Sequence, residues 1–466
     1  MIAKPHALLT IVAPLPLSKL SQAEAEIDKL QAALPSLEQA LRELDPDGFS
    51  STHFMSLHAI ASTDGETAYL LFELSGDGTT EAALDRLVRD SSVKQAFRRV
   101  FLLASDWTDG GELLSYWRGH LLTTGSGYST PPGLGFVGAP GMTVGRIRDE
   151  AGLAAHVTSL LRTQPGDLPA LTRLGDVREK LSKDTNFSHF LKPADTSIAF
   201  SPASAFGAAL KVGLLAANTY LWPLYLLVLG IAGGYGAWRA GTGVDLADWI
   251  RQFASGAFQA LWVGLLVGLL VTVVGLIAGY SVFRAAEARD PTDDRAADRN
   301  INAAMFANEN KGVQNHMISI TRRKPGLLRA FTSRLVFLVI GGLAAWVYPP
   351  GFLSTIGSIH FARWITPKGS RDLVFLSNYD GSWESYLEDF ITLAHEGLTA
   401  VWSNTIGFPA TQNLFQGGAT DGERFKRFAR RSMIPSRFWY SAYPDLTVQA
   451  IRRNAAIRRG LSGAMN

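Results

Sequence analysis

Residues 77–88, DGTTEAALDRLV, align without a gap on residues 380–391, DGSWESYLEDFI. Asp77/Asp380, Gly78/Gly381, Glu81/Glu384 and Leu84/Leu387 are identical, and the intervening positions largely keep their character. A His-Phe pair precedes each segment, at His53-Phe54 and His360-Phe361, and further upstream His6 lies over His316. A chain with two copies of one unit folds by repeating one small solution and then joining the copies. The repeat therefore constrains this chain more than any single motif does.

Each copy reads as β-α-β-β-α-β. In the first, HALLTIVAPL is a short apolar strand, and Leu20 to Leu44 carries Ile27, Leu30, Leu34, Leu37 and Leu41 at helical spacing. THFMSLHAI and AYLLFEL flank a Thr-Asp-Gly turn, a hairpin signal. A helix from Thr79 and a fourth strand, FRRVFLLA, complete the unit. The second copy runs HMISIT, helix, SIHFARWI, DLVFLSN, a helix from Ser382, and SRFWYSAY. This is the order of the ferredoxin-like split βαβ motif. Its helices cover one sheet face and leave the other bare. Two copies can pack bare face to bare face, so the expected fold is α+β, an intrachain dimeric α/β barrel with a ligand space between the sheets.

The expected organisation is repeat 1 over 1–122, a Gly/Pro-rich loop and helical connector over 123–206, a transmembrane hairpin over 207–284, a polar linker over 285–312, and repeat 2 with basic C-terminal helices over 313–466. The hairpin rests on two segments without a charge, 213–238 and 256–283. Each is long enough for a hydrocarbon layer of about 30 Å. Lys and Arg flank the pair more densely than they fill its loop, which places both soluble halves in the cytoplasm of a bacterial inner membrane. A third apolar stretch, 335–348, sits where repeat 2 needs its first helix. It reads as a helix lying against the membrane surface or a partner, or as an ordinary buried helix. The chain has no cysteine, which excludes disulfides and thiolate-ligated metal.

Alternation along SIHFARWI puts His360 and Trp364 on one face, toward the barrel interior, and Arg363 on the other. The repeat places His53 opposite. Asn378 and Asp380 stand at the strand-to-helix corner. These five are the candidate ligand-binding residues. A histidine in a barrel can hold a ligand or serve as a hydrogen-bonded structural residue, and the sequence leaves both readings open. No metal ligands are assigned and no catalytic residue is identified. Lys426, Arg427, Arg430 and Arg431 lie in a basic run read as meeting the anionic bilayer leaflet rather than nucleic acid. There is no GxxxxGK[ST], HExxH or GxSxG, and GLGFVG at 133–138 lacks the strand-turn-helix setting of a nucleotide fingerprint.

VQNHMISITRRKPG, LVFLSNYDGSWESYLEDFI, GLTAVWSNTIGFP and FWYSAYPDLTVQAIRRN resemble an uncharacterised group of bacterial membrane proteins, over residues 313–460. The tandem architecture is similar to the dimeric α/β-barrel superfamily, which includes dye-decolorising peroxidases and chlorite-dismutase-like proteins. That resemblance implies haem as the cofactor to consider. The peroxidase GxxDG signature is broken here by Ser377 and Leu74; GATDG at 418–422 matches only in a loop. The expected function is a membrane-anchored binding or interaction protein that docks a small ligand, a protein partner or a second copy. The alternative is a haem-dependent peroxidase-like oxidoreductase.

Overall fold

The computed structural model describes residues 6–44, 51–193, 200–296, 298–309 and 311–463. The first half contains β1 (His6–Leu15), α1 (Leu20–Leu44), β2 (Thr52–Ala61), β3 (Ala68–Asp77), α2 (Thr80–Leu87), α3 (Ser91–Phe101), α4 (Leu113–Gly119), β4 (Leu134–Val137), α5 (Val144–Arg162) and α6 (Ala170–Lys183). Four helices follow: α7 (Ala205–Tyr220), α8 (Trp222–Ala240), α9 (Leu246–Glu287) and α10 (Arg299–Asn308). The second half begins with β5 (Gln314–Arg322), α11 (Leu327–Trp346), β6 (Ile359–Ile365), β7 (Asp372–Asp380), α12 (Trp383–Leu393) and α13 (His395–Trp402). It ends with β8 (Thr411–Gln412), β9 (Gln416–Gly417), α14 (Gly422–Ser432), β10 (Met433–Ile434), β11 (Phe438–Ser441) and α15 (Val448–Leu461). The class is α+β with antiparallel sheets, as the patterning predicts.

One sheet has the order β1-β3-β2-β11 and the other β10-β5-β7-β6-β4. Thus β11, from the second copy, completes the first sheet, and β4, from the connector, completes the second. The exchange is symmetric. Ser441 faces Phe54 and Val137 faces Phe361. Beyond them, Ala442 N–H donates to His53 O and Gly138 N–H donates to His360 O. Two expectations are corrected here. FRRVFLLA is not the fourth strand; its first five residues are the end of α3, whose Val93, Phe97 and Val100 are buried at helical spacing. A rudimentary pairing of Leu121 with Ile11 stands in its place, and β10 is its counterpart beside β5. Each sheet takes an edge strand from outside the segment expected to hold its repeat. The register also shifts one anchor. His6 pairs with Asp77 and Gln314 with Asp380, so Gln314, not His316, is the counterpart of His6.

The faces not covered by helices meet. Ile60, Tyr69 and Leu71 of the first sheet pack on Ile318, Ile365, Val374 and Leu376 of the second. Beside this apolar patch lies a wholly buried polar hub. Arg363 Nε is 3.1 Å from Glu73 Oε2. The guanidinium also donates to the Leu9 and Leu74 carbonyls and to the Thr10 and Ser75 hydroxyls. His316 Nε2 is 3.2 Å from Glu73 Oε1, and His58 stacks on His316 with centroids 5.3 Å apart. Burial alone would raise the Glu73 carboxyl, but Arg363 and His316 outweigh it and hold it at about 2.

Two helices, α9 and α11, are long and apolar enough to cross a membrane, and α7 with α8 forms a bent apolar pair. At about 1.5 Å per residue, α9 is about 63 Å long. The first charge-free segment, 213–238, is not one helix. It breaks after Tyr220 with a 66° bend, and Pro223 falls in the first turn of α8, where its missing N–H costs nothing. The backbones of α8 and α9 approach closely at glycine: a Cβ at Gly236 would stand 2.8 Å from Phe253 O. In contrast, α11 joins two strands that both pair with β7, so it is the crossover helix of the second sheet. Its outer face meets α7: Ala203 N–H donates to Trp346 O at 2.9 Å, and Tyr220 packs on Phe331 at 5.0 Å.

Replacing Arg363 by Met leaves a buried carboxylate without its cation. We expect a loss of about 3–5 kcal/mol in urea unfolding of detergent-solubilised protein, with much of it recovered in the Glu73→Gln/Arg363→Met double variant. Equal losses in the single and double variants would show that the hub is not an ion-paired unit.

Candidate functional site

Both histidines of the His-Phe pairs are the extra residue of a β-bulge. Pairing with β3 skips from Thr52 to Phe54, and pairing with β7 skips from Ile359 to Phe361. The bulge turns each imidazole out of the alternation and toward the end of its sheet. There, His53 Nε2 is 3.0 Å from Asp77 Oδ1, and His360 Nε2 is 2.7 Å from Asp380 Oδ1. The second oxygen of each aspartate accepts the first N–H of a helix, Val144 at 2.9 Å for Asp77 and Val448 at 2.7 Å for Asp380. Negative charge at a helix N-terminus is favourable, so each carboxylate binds its histidine and its helix together. The rings interlock across the pseudo-two-fold: His53 packs on Phe361 and Phe54 on His360, both with centroids 5.1 Å apart.

Tyr443 lies within this double centre. Its hydroxyl is 2.7 Å from His53 Nδ1. Burial, reinforced by Asp77 and Asp380, raises its pKa well above the usual phenol value. It stays protonated and donates to His53 Nδ1, which puts the imidazole proton on Nε2, facing Asp77. The result is a Tyr-His-Asp chain of hydrogen bonds. The two halves differ at one position. Where His6 stands in the first, Gln314 stands in the second and donates to the Tyr443 and Leu446 carbonyls at 3.0 and 2.6 Å.

The sequence reading assigns no metal ligands, yet His6, His53 and Asp77 bring three potential donor atoms within 4.8 Å of one another. Hydrogen bonding opposes ligation. Gly141 N–H donates to His6 Nε2 at 2.9 Å, so neutral His6 carries its proton on Nδ1, toward Asp77. Both rings thus face Asp77 with N–H groups, and a cation would require both to change tautomer. The site fits haem no better. Both nitrogens of His53 are engaged, His360 Nε2 faces Asp380, and Phe54, Phe361 and the Arg363–Glu73 hub fill the adjoining interior.

Of the five candidate residues, His53, His360 and Asp380 converge. Asn378 lies in the hub instead: its amide nitrogen is 3.4 Å from Glu73, and its oxygen accepts from Trp439 at 2.8 Å. Trp364 and Arg363 are inverted relative to expectation. Arg363 faces the other sheet, while Trp364 sits on the helix side against Phe337, Phe375 and Trp402. The bulge at His360 is the cause, since alternation read through it assigns every later residue of β6 to the wrong face. Among the four basic residues, Arg430 is buried, pairs with Glu309 and stacks 3.7 Å from the Trp383 ring centroid. Lys426 pairs with Glu388 at 2.8 Å, and Arg431 with Asp293 at 3.4 Å. Arg427 is exposed. The run is therefore not an open cationic surface. Asp421, of the GATDG letters, caps α14.

The sequence reading missed His6, Asp77 and Tyr443 as site members. The signal was present: GAPGMTVGRIR at 138–148 lies over AYPDLTVQAIR at 442–452, and Thr143 and Thr447 cap the two helices that the aspartates hold. Arg148 donates to Ala442 O, and Arg452 donates to Gly138 O, so each helix also grips the other crossing segment. Comparison with protein-family models, with curated proteins and with solved structures yields no match.

Two histidines are held neutral by the fold. Burial, with His53 nearby, lowers His6 to about 4; burial, with His316 nearby, lowers His58 to about 3. An unfolded histidine binds its proton below about pH 6.5. Between pH 6.5 and 4 the unfolded chain therefore takes up more protons than the folded one, and stability falls as pH falls. Urea midpoints measured across that window should decline with acid, and His58→Gln should flatten the decline. A flat wild-type profile would mean that these histidines are not buried neutral.

Proposed function

We propose that the chain is a membrane-anchored binding protein. In this reading α8 and α9 form a transmembrane hairpin, and the two ferredoxin-like repeats form an intrachain dimeric α/β barrel held at the cytoplasmic face of a bacterial inner membrane. The observation that carries it is the junction at the end of α9. Glu287, buried in the last turn, accepts from Thr411 Oγ1, Asn413 N–H and Leu414 N–H at 2.7–3.0 Å. Phe283 lies under Arg329 of α11 at 4.6 Å, and Arg329 pairs with Asp290. The apolar helix is thus built into the α+β body rather than linked by a loose tether. Such a junction suits a body that works at the bilayer surface.

The double His-Asp centre is best understood as the latch of the strand exchange. Both carboxylate oxygens of Asp77 and of Asp380 are engaged by a ring or a helix end, which supports a structural role.

The absence of native cysteine makes a topology test direct. In intact cells a membrane-impermeant maleimide should label Thr242→Cys, in the α8–α9 loop, and leave the exposed Arg427→Cys of the body unlabelled. The reverse pattern would invert the orientation, and protection of both would remove the span.

A further inference from the structure

The hairpin of α8 and α9 does not account for the apolar helix that precedes it. By composition α7 could continue α8, but the chain turns by 66° between the two. One face of α7 is taken up by the body. Ala208 and Tyr220 are buried, and a Cβ at Gly342 of α11 would stand 2.8 Å from the Val212 side chain. The two helices run antiparallel, from Ala203 beside Trp346 to Tyr220 beside Phe331. Phe206, Leu210 and Leu214 are offset from Ala208 and Val212 by two positions, about 200° around a helix of 3.6 residues per turn. They point the other way and are 80%, 52% and 62% exposed. Spaced by four residues, they form one apolar stripe along the outside of α7. An exposed stripe of this kind calls for a cover.

The neighbouring helices indicate what the cover is. Exposed Trp222 and Tyr225 stand at one end of α8, and exposed Tyr235 and Trp238 at the other. The two tryptophans are about 24 Å apart along the axis at 1.5 Å per residue. Aromatic residues so placed mark the two rims of a hydrocarbon layer. One rim then falls at the bend between α7 and α8. An α8 tilted from the normal by an ordinary ~20° leaves α7 nearer the membrane plane than the normal. Meanwhile α9 runs on past this rim. Gly268 lies against Leu224, near the start of α8, and the helix stays uncharged as far as Phe283, about 22 Å further along. That step has room for a headgroup layer and one helix lying on its side. Charge agrees with this placement. The residues of α7 and α11 include Lys211, Arg329 and Arg334 and no carboxylate, and Arg329 is matched by Asp290. Lys211 is exposed on the flank of the stripe, with its ammonium 5.8 Å from the Trp346 ring. A lysine beside an apolar face keeps its stem in the apolar layer and its charge among the phosphates.

We propose that α7 is an interfacial helix that binds the phospholipid surface: it lies in the plane of the leaflet nearest the body, with Phe206, Leu210 and Leu214 below the lipid phosphates. The proposal rests on the membrane-anchored reading and names the surface through which the body meets its bilayer. In this arrangement α7 is a floor between the lipid and α11, and the bend after Tyr220 is the point where the chain turns from the surface into the span.

The chain has no native cysteine, so nitroxide labels can be placed singly in the full-length protein at Phe206→Cys, Leu210→Cys and Leu214→Cys. All three positions are exposed, and labelling there disturbs no packing. Depth is read in nanodiscs of phosphatidylcholine and phosphatidylglycerol, from the ratio of collisions with oxygen to collisions with a water-soluble nickel chelate. Ile231→Cys, exposed at the middle of α8, gives the mid-bilayer value, and the exposed Arg427→Cys gives the aqueous one. The three α7 labels should share one depth, between those two references. A steady change from 206 to 214, roughly 12 Å over eight residues, would make α7 part of a span and overturn the proposal. Values equal to that of Arg427→Cys would show a stripe open to water, and few collisions with either reagent would show a stripe covered by protein. Either result would overturn the proposal as well. The Ile231 label and the maleimide pattern of Thr242→Cys and Arg427→Cys do not involve α7. They separate failure of the interfacial helix from failure of the anchored reading.

Discussion

The contact between Glu73 and Arg363 ties the two halves of the molecule together. Each sheet has helices on only one face, and the other face must be buried. Apolar residues cover part of that surface, but Arg363 brings a full charge into it. A charge there is tolerable only with a counter-ion and enough acceptors. Glu73 supplies the first from the opposite sheet, and the carbonyls of Leu9 and Leu74 with the hydroxyls of Thr10 and Ser75 supply the second. All of these partners come from β1 and β3. The requirement thus fixes how the second sheet sits on the first, where an apolar patch alone would tolerate sliding.

The strand exchange follows the same logic at the sheet edges. Left bare, β2 and β6 would present unpaired edges. Instead β11 covers one and β4 the other, in equivalent register. Each exchanged strand must then return to its own half, and the bulge histidines stand where it leaves the other sheet. Asp77 and Asp380 receive the returning chain at the first N–H of α5 and α15. Histidine, aspartate and helix end thus form one device, present twice. Its conserved geometry across two copies of different sequence is explained by the closure of the fold, with no ligand required.

The side that carries α8 and α9 is organised by different forces. The α8–α9 pair is apolar over most of its surface, and its backbones approach closely at Gly236 and Gly256. Attachment to the body combines buried polar contacts centred on Glu287 with the packing of α7 on α11.

The sequence by itself determined the repeat, the α+β class, the first three strands of each copy and the charge-free segments, because these depend on local periodicity and on identity between copies. It also singled out His53, His360 and Asp380, since residues that recur at equivalent places in a repeat meet the same local demand. Only the tertiary structure decided which edge each late strand joins. FWYS and LGFV carry no signal for their partner, since one short apolar strand pairs as well with one edge as with another until the sheets have met. The helical form of FRRVF was likewise set by Val93, Phe97 and Val100 being buried along one face of α3. The faces of Arg363 and Trp364 were decided by one extra residue at His360, as a single bulge reverses a period of two. Whether a basic residue is free was also a tertiary matter: Arg430 and Lys426 find their carboxylates on other elements, far away in the chain.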